Sequence, residues 1–591
     1  METYPQTRWT LTELLEAPSG APLDRALQDI ETRTAQFEAH RAQLNPNIDE
    51  EEFLDIVHEF EDLNRSLRRV AAYAELWFTE DTQNQSALAF KSKMEQLAAQ
   101  VANRVLFFSL WWKDLDDANA ARLLRNAGDY TYYLETERMF KPHTLSEREE
   151  QVINIKDVNG IGGLITVYDM ITNRYQFTLK VNGEEKTMTQ GELQTYYRNP
   201  DPAVRAAAYH ELLRVYSQDS GVLAQVYANR INDWRAEQVD LRHFETPIAA
   251  RNLGNDVPNA AVDTMLEVCR KNAPLFQRYF KLKAKWLGLN PMRRSDIYAP
   301  LRAVDVEIPW DEAVTLVLDS FEKFSPRVAT EARGVFEANH VDSEIRPGKR
   351  SGAFCASILP ELAPYVQINY SNKARDVATL AHEFGHAVHA CLAREHSVFT
   401  FHSSLPMAET ASVFSEMILN ERLLHDTNDP ALKRDILARM VDDAYATVMR
   451  QAFFAMFEKA AHDAVAQGAT ADQVTDIYWD NITLQFGDAV EIPDDFKWEW
   501  IVIPHFYHSP FYVYAYSFGQ LLTLSLYSRY RTEGESFKPK YLKILAYGGS
   551  ASPQHILSEA GIDITSAEFW QGGFDVIGGF IDQLEALDGT A

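Results

Sequence analysis

The stretch Leu380-Ala381-His382-Glu383-Phe384-Gly385-His386-Ala387-Val388-His389 limits what this chain can become more than any other. Apolar residues flank it on both sides, so it reads as a buried helix. Residues four apart on a helix share a face, one turn from each other. His382 and His386 therefore aim two imidazoles at one point, and Glu383 projects beside that point. Burying two histidines and a glutamate without partners would cost several kcal/mol. A divalent metal with one open position removes that cost, and Glu383 stands where a general base for water is needed. His389 follows on nearly the same face and reads as a packed histidine. Gly385 in mid-helix costs about 1 kcal/mol against alanine, which predicts close approach of a neighbouring backbone.

A catalytic metal of this kind usually takes three protein ligands. Met407-Ala408-Glu409-Thr410-Ala411-Ser412-Val413-Phe414-Ser415-Glu416 offers two candidates, Glu409 and Glu416. The gap from His386 suits a helix, a loop and a second helix packed on the first. Spacing alone leaves both glutamates open.

The remainder of the chain supplies context. It has 591 residues, more than one core usually holds, so two or more lobes are expected. Helical periodicity dominates. We expect an N-terminal helical lobe over 1–195 and a helical domain carrying the histidine motif over 196–591. Asn182-Gly183 between alternating residues predicts a β-hairpin over about 176–189. Tyr365-Val366-Gln367-Ile368-Asn369-Tyr370 alternates like a half-buried strand. Such a strand could pair with an extended peptide.

The net charge of -28 argues against nucleic acid and against anionic membranes, both of which call for clustered Lys and Arg. No apolar run reaches the roughly 20 residues that span a bilayer. The start of the chain does not read as a signal peptide. Cys269, Cys355 and Cys391 form no disulfide framework. The expectation is a cytoplasmic protein; its oligomeric state is not legible. Cys269 falls on an apolar helix face and reads as core.

These motifs, with Ser351-Gly352-Ala353-Phe354-Cys355, the Tyr365–Tyr370 strand and the segment Pro504-His505-Phe506-Tyr507-His508-Ser509-Pro510-Phe511-Tyr512-Val513-Tyr514-Ala515-Tyr516, resemble the thimet oligopeptidase and oligoendopeptidase F family of zinc peptidases, most closely its oligoendopeptidase F branch. The resemblance implies a mostly α fold. Its zincin-type catalytic core would carry a small antiparallel β-sheet, and helical lobes would enclose a deep substrate channel. It implies one Zn2+ per chain held by His382, His386 and Glu409, with Glu383 as general base. It implies an oligoendopeptidase acting on short unstructured peptides; a dipeptidyl carboxypeptidase is the alternative. His505 matches the family's substrate-binding histidine. Tyr514, then Tyr512, are the expected donors to the oxyanion. Gly352, Ala353, Tyr365 and Tyr516 are the expected substrate contacts.

Overall fold

A computed structural model describes residues 4–301 and 307–588 of the chain. It is mostly helical, with a two-stranded and a three-stranded sheet among the described residues. The hairpin forms as expected: β1 (Phe177–Val181) pairs antiparallel with β2 (Glu184–Met188). Asn182 and Gly183 both take positive φ, +52° and +87°, the backbone that a tight two-residue hairpin turn requires.

Two compact units divide the chain. The first comprises Met1–Lys141, Asp305–Asp426 and Arg529–Ile562; the second comprises Pro142–Val304, Thr427–Ser528 and Asp563–Ala591. The units interleave in sequence, so a single boundary at residue 195 does not describe them. Long-range pairing is the reason. Thr10 N–H donates to the Asn339 carbonyl at 3.1 Å, and Ser343 N–H donates to that of Thr7 at 2.9 Å. The first residues of the chain are thus stitched to its middle.

In the first unit, α1 (Ala21–Ala39), α2 (Glu50–Glu80) and α3 (Gln85–Asp114) pack around a common apolar core. Local chemistry starts two of them. Asp49 accepts the Glu51 N–H at 2.8 Å, and Asn84 accepts those of Ser86 and Ala87, satisfying amide groups that a helix start leaves without partners. Phe37, Phe53, Phe108 and Trp112 are buried where these helices meet. The Phe53 and Trp112 rings stack at 5.2 Å.

The three-stranded sheet lies in the same unit. It consists of β3 (Val341–Asp342), β4 (Phe354–Ala356) and β5 (Tyr365–Gln367), in the order β3-β5-β4. It is mixed, not antiparallel throughout: β5 runs parallel to β3 and antiparallel to β4. Every residue of β5 is buried, because both of its edges are paired and its faces are packed. The alternation of Tyr365–Tyr370 therefore does not mark a half-buried strand. No described helix is long and apolar enough to cross a membrane.

Candidate metal centre

Helix α4 (Ala374–Leu392) carries the histidine motif. Asp376 accepts from Ser371 N–H, Ser371 Oγ and Lys373 N–H, holding the chain at the helix start. Its apolar side buries Val377, Leu380, Ala381, Phe384 and Val388. Gly385 is required by packing. A Cβ there would lie 2.6 Å from both the Ala411 carbonyl oxygen and Ser412 Cα. That backbone opens α6 (Ser412–Asp426), which follows the short helix α5 (Leu405–Ala408).

Glu409 sits in the bend between α5 and α6, where Pro406 starts one short helix and Ser412 begins the next. It does not share a continuous helix face with Ser412. Instead Ser412 Oγ donates to Glu409 Oε2 at 2.6 Å and fixes its carboxylate. Glu409 Oε2 lies 3.4 Å from His382 Nε2 and 3.5 Å from His386 Nε2. One donor atom from each of His382, His386 and Glu409 lies within 4.8 Å of the others. Two imidazole nitrogens and a carboxylate oxygen converging this closely suit a divalent ion, and the donor set is one that zinc accepts. Glu416, the rival by spacing, has another place. Its Oε1 meets His382 Nδ1 at 2.6 Å, which commits that nitrogen and leaves Nε2 for a metal. A hydrogen bond to the backbone of Ala408 holds the His386 ring.

The electrostatics separate the groups. Burial, reinforced by the Glu409 and Glu416 carboxylates and opposed by His382, pushes Glu383 up to about 7. Burial opposes the charged form of His382, but the bond to Glu416 and the surrounding carboxylates outweigh it and lift the ring to about 9. Burial and the adjacent His382 hold His386 down at about 4, against the pull of Glu409. A carboxylate poised near neutrality suits proton transfer. His389 is buried and held near 3, chiefly by burial; it is a neutral packed ring.

A cavity of about 560 Å³ adjoins these residues, lined by His382, Glu383 and His386 and by Ala353 to Ser357. The orientation of β4 follows from β5. Val366 N–H donates to His340 O on the β3 side, so Val366 and its opposite residue Cys355 form a non-hydrogen-bonded pair. The N–H and C=O of Cys355 therefore face away from β5, and no described backbone group pairs with them. The open sheet edge along the cavity is Phe354–Ala356, not Tyr365–Tyr370. Tyr365 itself is fully buried, stacked on His340 at 3.8 Å, so its ring is not a substrate contact. Gly352 turns the chain with φ +82° and accepts from Asn369 Nδ2 at 2.8 Å; Ala353 lines the cavity. Cys355 is the cavity's thiol, and burial pushes it well above the usual range.

The aromatic segment belongs to the second unit. A short helix, Pro504–His508, turns into α8 (Tyr514–Glu533), after the earlier helix α7 (Arg450–Ala466). His505, Tyr512 and Tyr516 cluster. Tyr516 OH lies 3.3 Å from His505 Nε2, and the tyrosine rings meet edge-on at 5.3 Å. Tyr516 is exposed and Tyr512 half-buried. Tyr514 is not with them. It is 0% exposed and its hydroxyl accepts from Asn255 Nδ2 at 2.8 Å. Its expected role as the first oxyanion donor is overturned: Tyr514 opens α8 with its ring in the core, and the two-residue step along that helix puts Tyr516 on another face.

The turn ahead of Tyr512 is held by residues that sequence reasoning missed. Arg251 Nε donates to the Pro510 carbonyl at 3.2 Å, and Glu458 Oε1 accepts the Phe511 N–H at 2.9 Å. Both ends of one peptide group are gripped, and Phe511 takes φ +57°, uncommon for a bulky residue.

Comparison with known proteins agrees with this architecture. The family model described as peptidase family M3 matches residues 195–576, and the one described as oligopeptidase F matches 111–177. Group B oligopeptidase PepB of Streptococcus agalactiae serotype III is 27% identical over 534 residues, covering 89% of this chain and 88% of its own. Oligopeptidase PepF of Bacillus subtilis is 25% identical over 598 residues, covering 99% and 88%. Oligoendopeptidase-F from Enterococcus faecium shares the fold with a TM-score of 0.73 at 23% identity, over 96% of this chain and 99% of that one. A crystal structure from Chlamydophila abortus reaches a TM-score of 0.88 at 23% identity, over 98% of each chain.

Proposed function

The chain belongs to peptidase family M3, and from that premise we propose that it is a zinc-dependent oligoendopeptidase that hydrolyses internal bonds of short, unstructured peptides. The observation that carries this reading is the convergence of His382, His386 and Glu409 within 4.8 Å, with Glu383 adjoining the same cavity. A zinc ion held by those three residues would supply Lewis-acid chemistry, acidifying water and polarising a carbonyl.

The chain's own residues do the remainder. Glu383 takes the proton from the attacking water and gives it to the departing amine. Its place in the same cavity as His382 and His386 supports both transfers. Glu416 and Ser412 hold His382 and Glu409 in orientation. The outward N–H and C=O of Cys355 offer an extended peptide a pair of backbone hydrogen bonds, with Gly352 and Ala353 at the start of that edge. Following the resemblance, His505 donates to the substrate carbonyl as charge develops. Tyr512 replaces Tyr514 as the tyrosine donor, with Tyr516 beside it. One such donor is typically worth about 10²–10³ in rate. We place the enzyme in the cytoplasm.

The test is Glu383→Gln. Turnover of an internally quenched peptide blocked at both ends should fall by about 10³ or more, with one zinc per chain retained by elemental analysis. A variant that keeps a tenth of the wild-type turnover removes Glu383 from the mechanism. Wild-type activity that survives complete metal removal removes the metal.

A further inference from the structure

The second unit contains another cavity, of about 500 Å³, that the reaction described above leaves unused. His505 lines it, together with Arg198, Arg450, Tyr197 and Tyr298. Among the described residues one carboxylate lines it, Glu499, and that carboxylate is committed. Its Oε1 accepts from Arg294 Nη2 at 2.6 Å and from Arg450 Nη2 at 3.0 Å; its Oε2 accepts from Tyr478 OH at 2.8 Å. Two guanidinium groups thus share one negative charge, and Arg198 adds a third cation, 5.9 Å over the Tyr298 ring. A surplus of positive charge is out of keeping with a chain of net charge -28.

Arg450 is held on rigid supports. It donates to Glu499 and lies over the Phe454 ring, 4.8 Å from its centroid. A fixed guanidinium amid surplus positive charge calls for an anionic acceptor with two oxygens.

We propose that this cavity is a subsite for a carboxylate of the peptide substrate, received by the guanidinium groups of Arg450 and Arg198. The proposal rests on the peptidase reading, because His505, which lines the cavity, is taken to engage the same substrate. The carboxylate has two sources, an acidic side chain within the peptide or its free C-terminus.

The experiment uses three versions of one internally quenched peptide: a neutral one blocked at both ends, one with an internal Gln→Glu change, and one with a free C-terminal acid. kcat/KM is measured for the wild type, Arg450→Met and Arg198→Gln. The wild type should favour one carboxylate peptide over the neutral one by about tenfold or more, and the arm that does so names the source. Arg450→Met should bring the ratio close to one, and Arg198→Gln should lower it. If Arg450→Met does not fold, Arg450→Gln, which can still donate to Glu499, carries the test together with Arg198→Gln. A ratio near one in the wild type for both arms, or a ratio unchanged in the variants, overturns the subsite. Binding of the same peptides to full-length Glu383→Gln protein, followed by fluorescence anisotropy, separates the two readings. If no peptide is cleaved yet the carboxylate peptide binds preferentially through Arg450, the peptidase reading fails and the subsite stands.

Discussion

Glu416 shows how one bond decides a residue's role. By spacing it rivals Glu409 as a ligand, yet its carboxylate is joined to His382 Nδ1 at 2.6 Å, the nitrogen turned away from the convergence point. Glu416→Gln should weaken zinc binding about 10–100-fold, the usual cost of losing such a partner, measured by competition with a chromogenic chelator. At saturating zinc most of the turnover should return. A loss as complete as that of Glu409→Gln would make Glu416 a ligand. The tyrosines divide in the same way. Tyr514→Phe leaves Asn255 Nδ2 without its acceptor and should cost about 1–3 kcal/mol of stability with kcat within about threefold of wild type. Tyr512→Phe should leave the melting temperature nearly unchanged and lower kcat at least about tenfold. The reverse pattern would restore Tyr514 to the site. His382, Glu383 and His386 were legible because one helix period determines their relation. Spacing alone left Glu409 and Glu416 both open, and only the resemblance singled out Glu409, because the chain bends at that residue and spacing counted along a helix loses its meaning there.

At the scale of elements, the turn Ser509–Val513 is set by α7 as much as by its own residues. Glu458 on α7 is fully buried and accepts the Phe511 N–H. Its other oxygen has no hydrogen-bond partner among the described residues, and burial pushes the carboxyl up to about 8, with the Phe511 bond and Arg251 opposing. A carboxyl whose folded pKa lies above its unfolded value, about 4.5, holds its proton more tightly when folded. Stability therefore falls as pH rises from about 4.5 through about 8. Glu458→Gln keeps an acceptor for Phe511 and removes the charge. It should be more stable than wild type at pH 8.5, by on the order of 2 kcal/mol, and nearly equal to it at pH 5, in chemical denaturation. An advantage independent of pH would mean that Glu458 is not the titrating group. The hairpin at Asn182-Gly183 was readable because its turn chemistry is local. The rank of the strands in the three-stranded sheet was not: β5 is central only because β3 comes from one side and β4 from the other.

For the whole molecule, the interleaving of the two units makes a sequential truncation hazardous. Met1–Lys141 belongs to the unit that holds His382, His386 and Glu409. Trp9 packs edge-on against Tyr365 at 5.9 Å, and Arg65 and Arg69 both pair with Glu361. A fragment spanning 196–591 loses these partners and exposes the strand beneath them. It should show no cooperative thermal transition and bind no zinc stoichiometrically, by calorimetry and elemental analysis. A fragment that melts cooperatively with one zinc bound would show that the first 195 residues are a separate domain after all.

Whatever depends on neighbours within a few residues was determined by the sequence alone: the helical class, the hairpin, two histidines on one helix face and the glutamate between them. Periodicity and turn chemistry are local, and each acts the same way wherever the segment ends up. Tertiary structure decided the third ligand's setting, the partner of His382, the open sheet edge, the buried state of Tyr514 and the arginine-lined cavity beside His505. Each of these joins residues tens to hundreds of positions apart, and the free energy that selects them comes from burial and pairing that exist only once the chain has closed on itself.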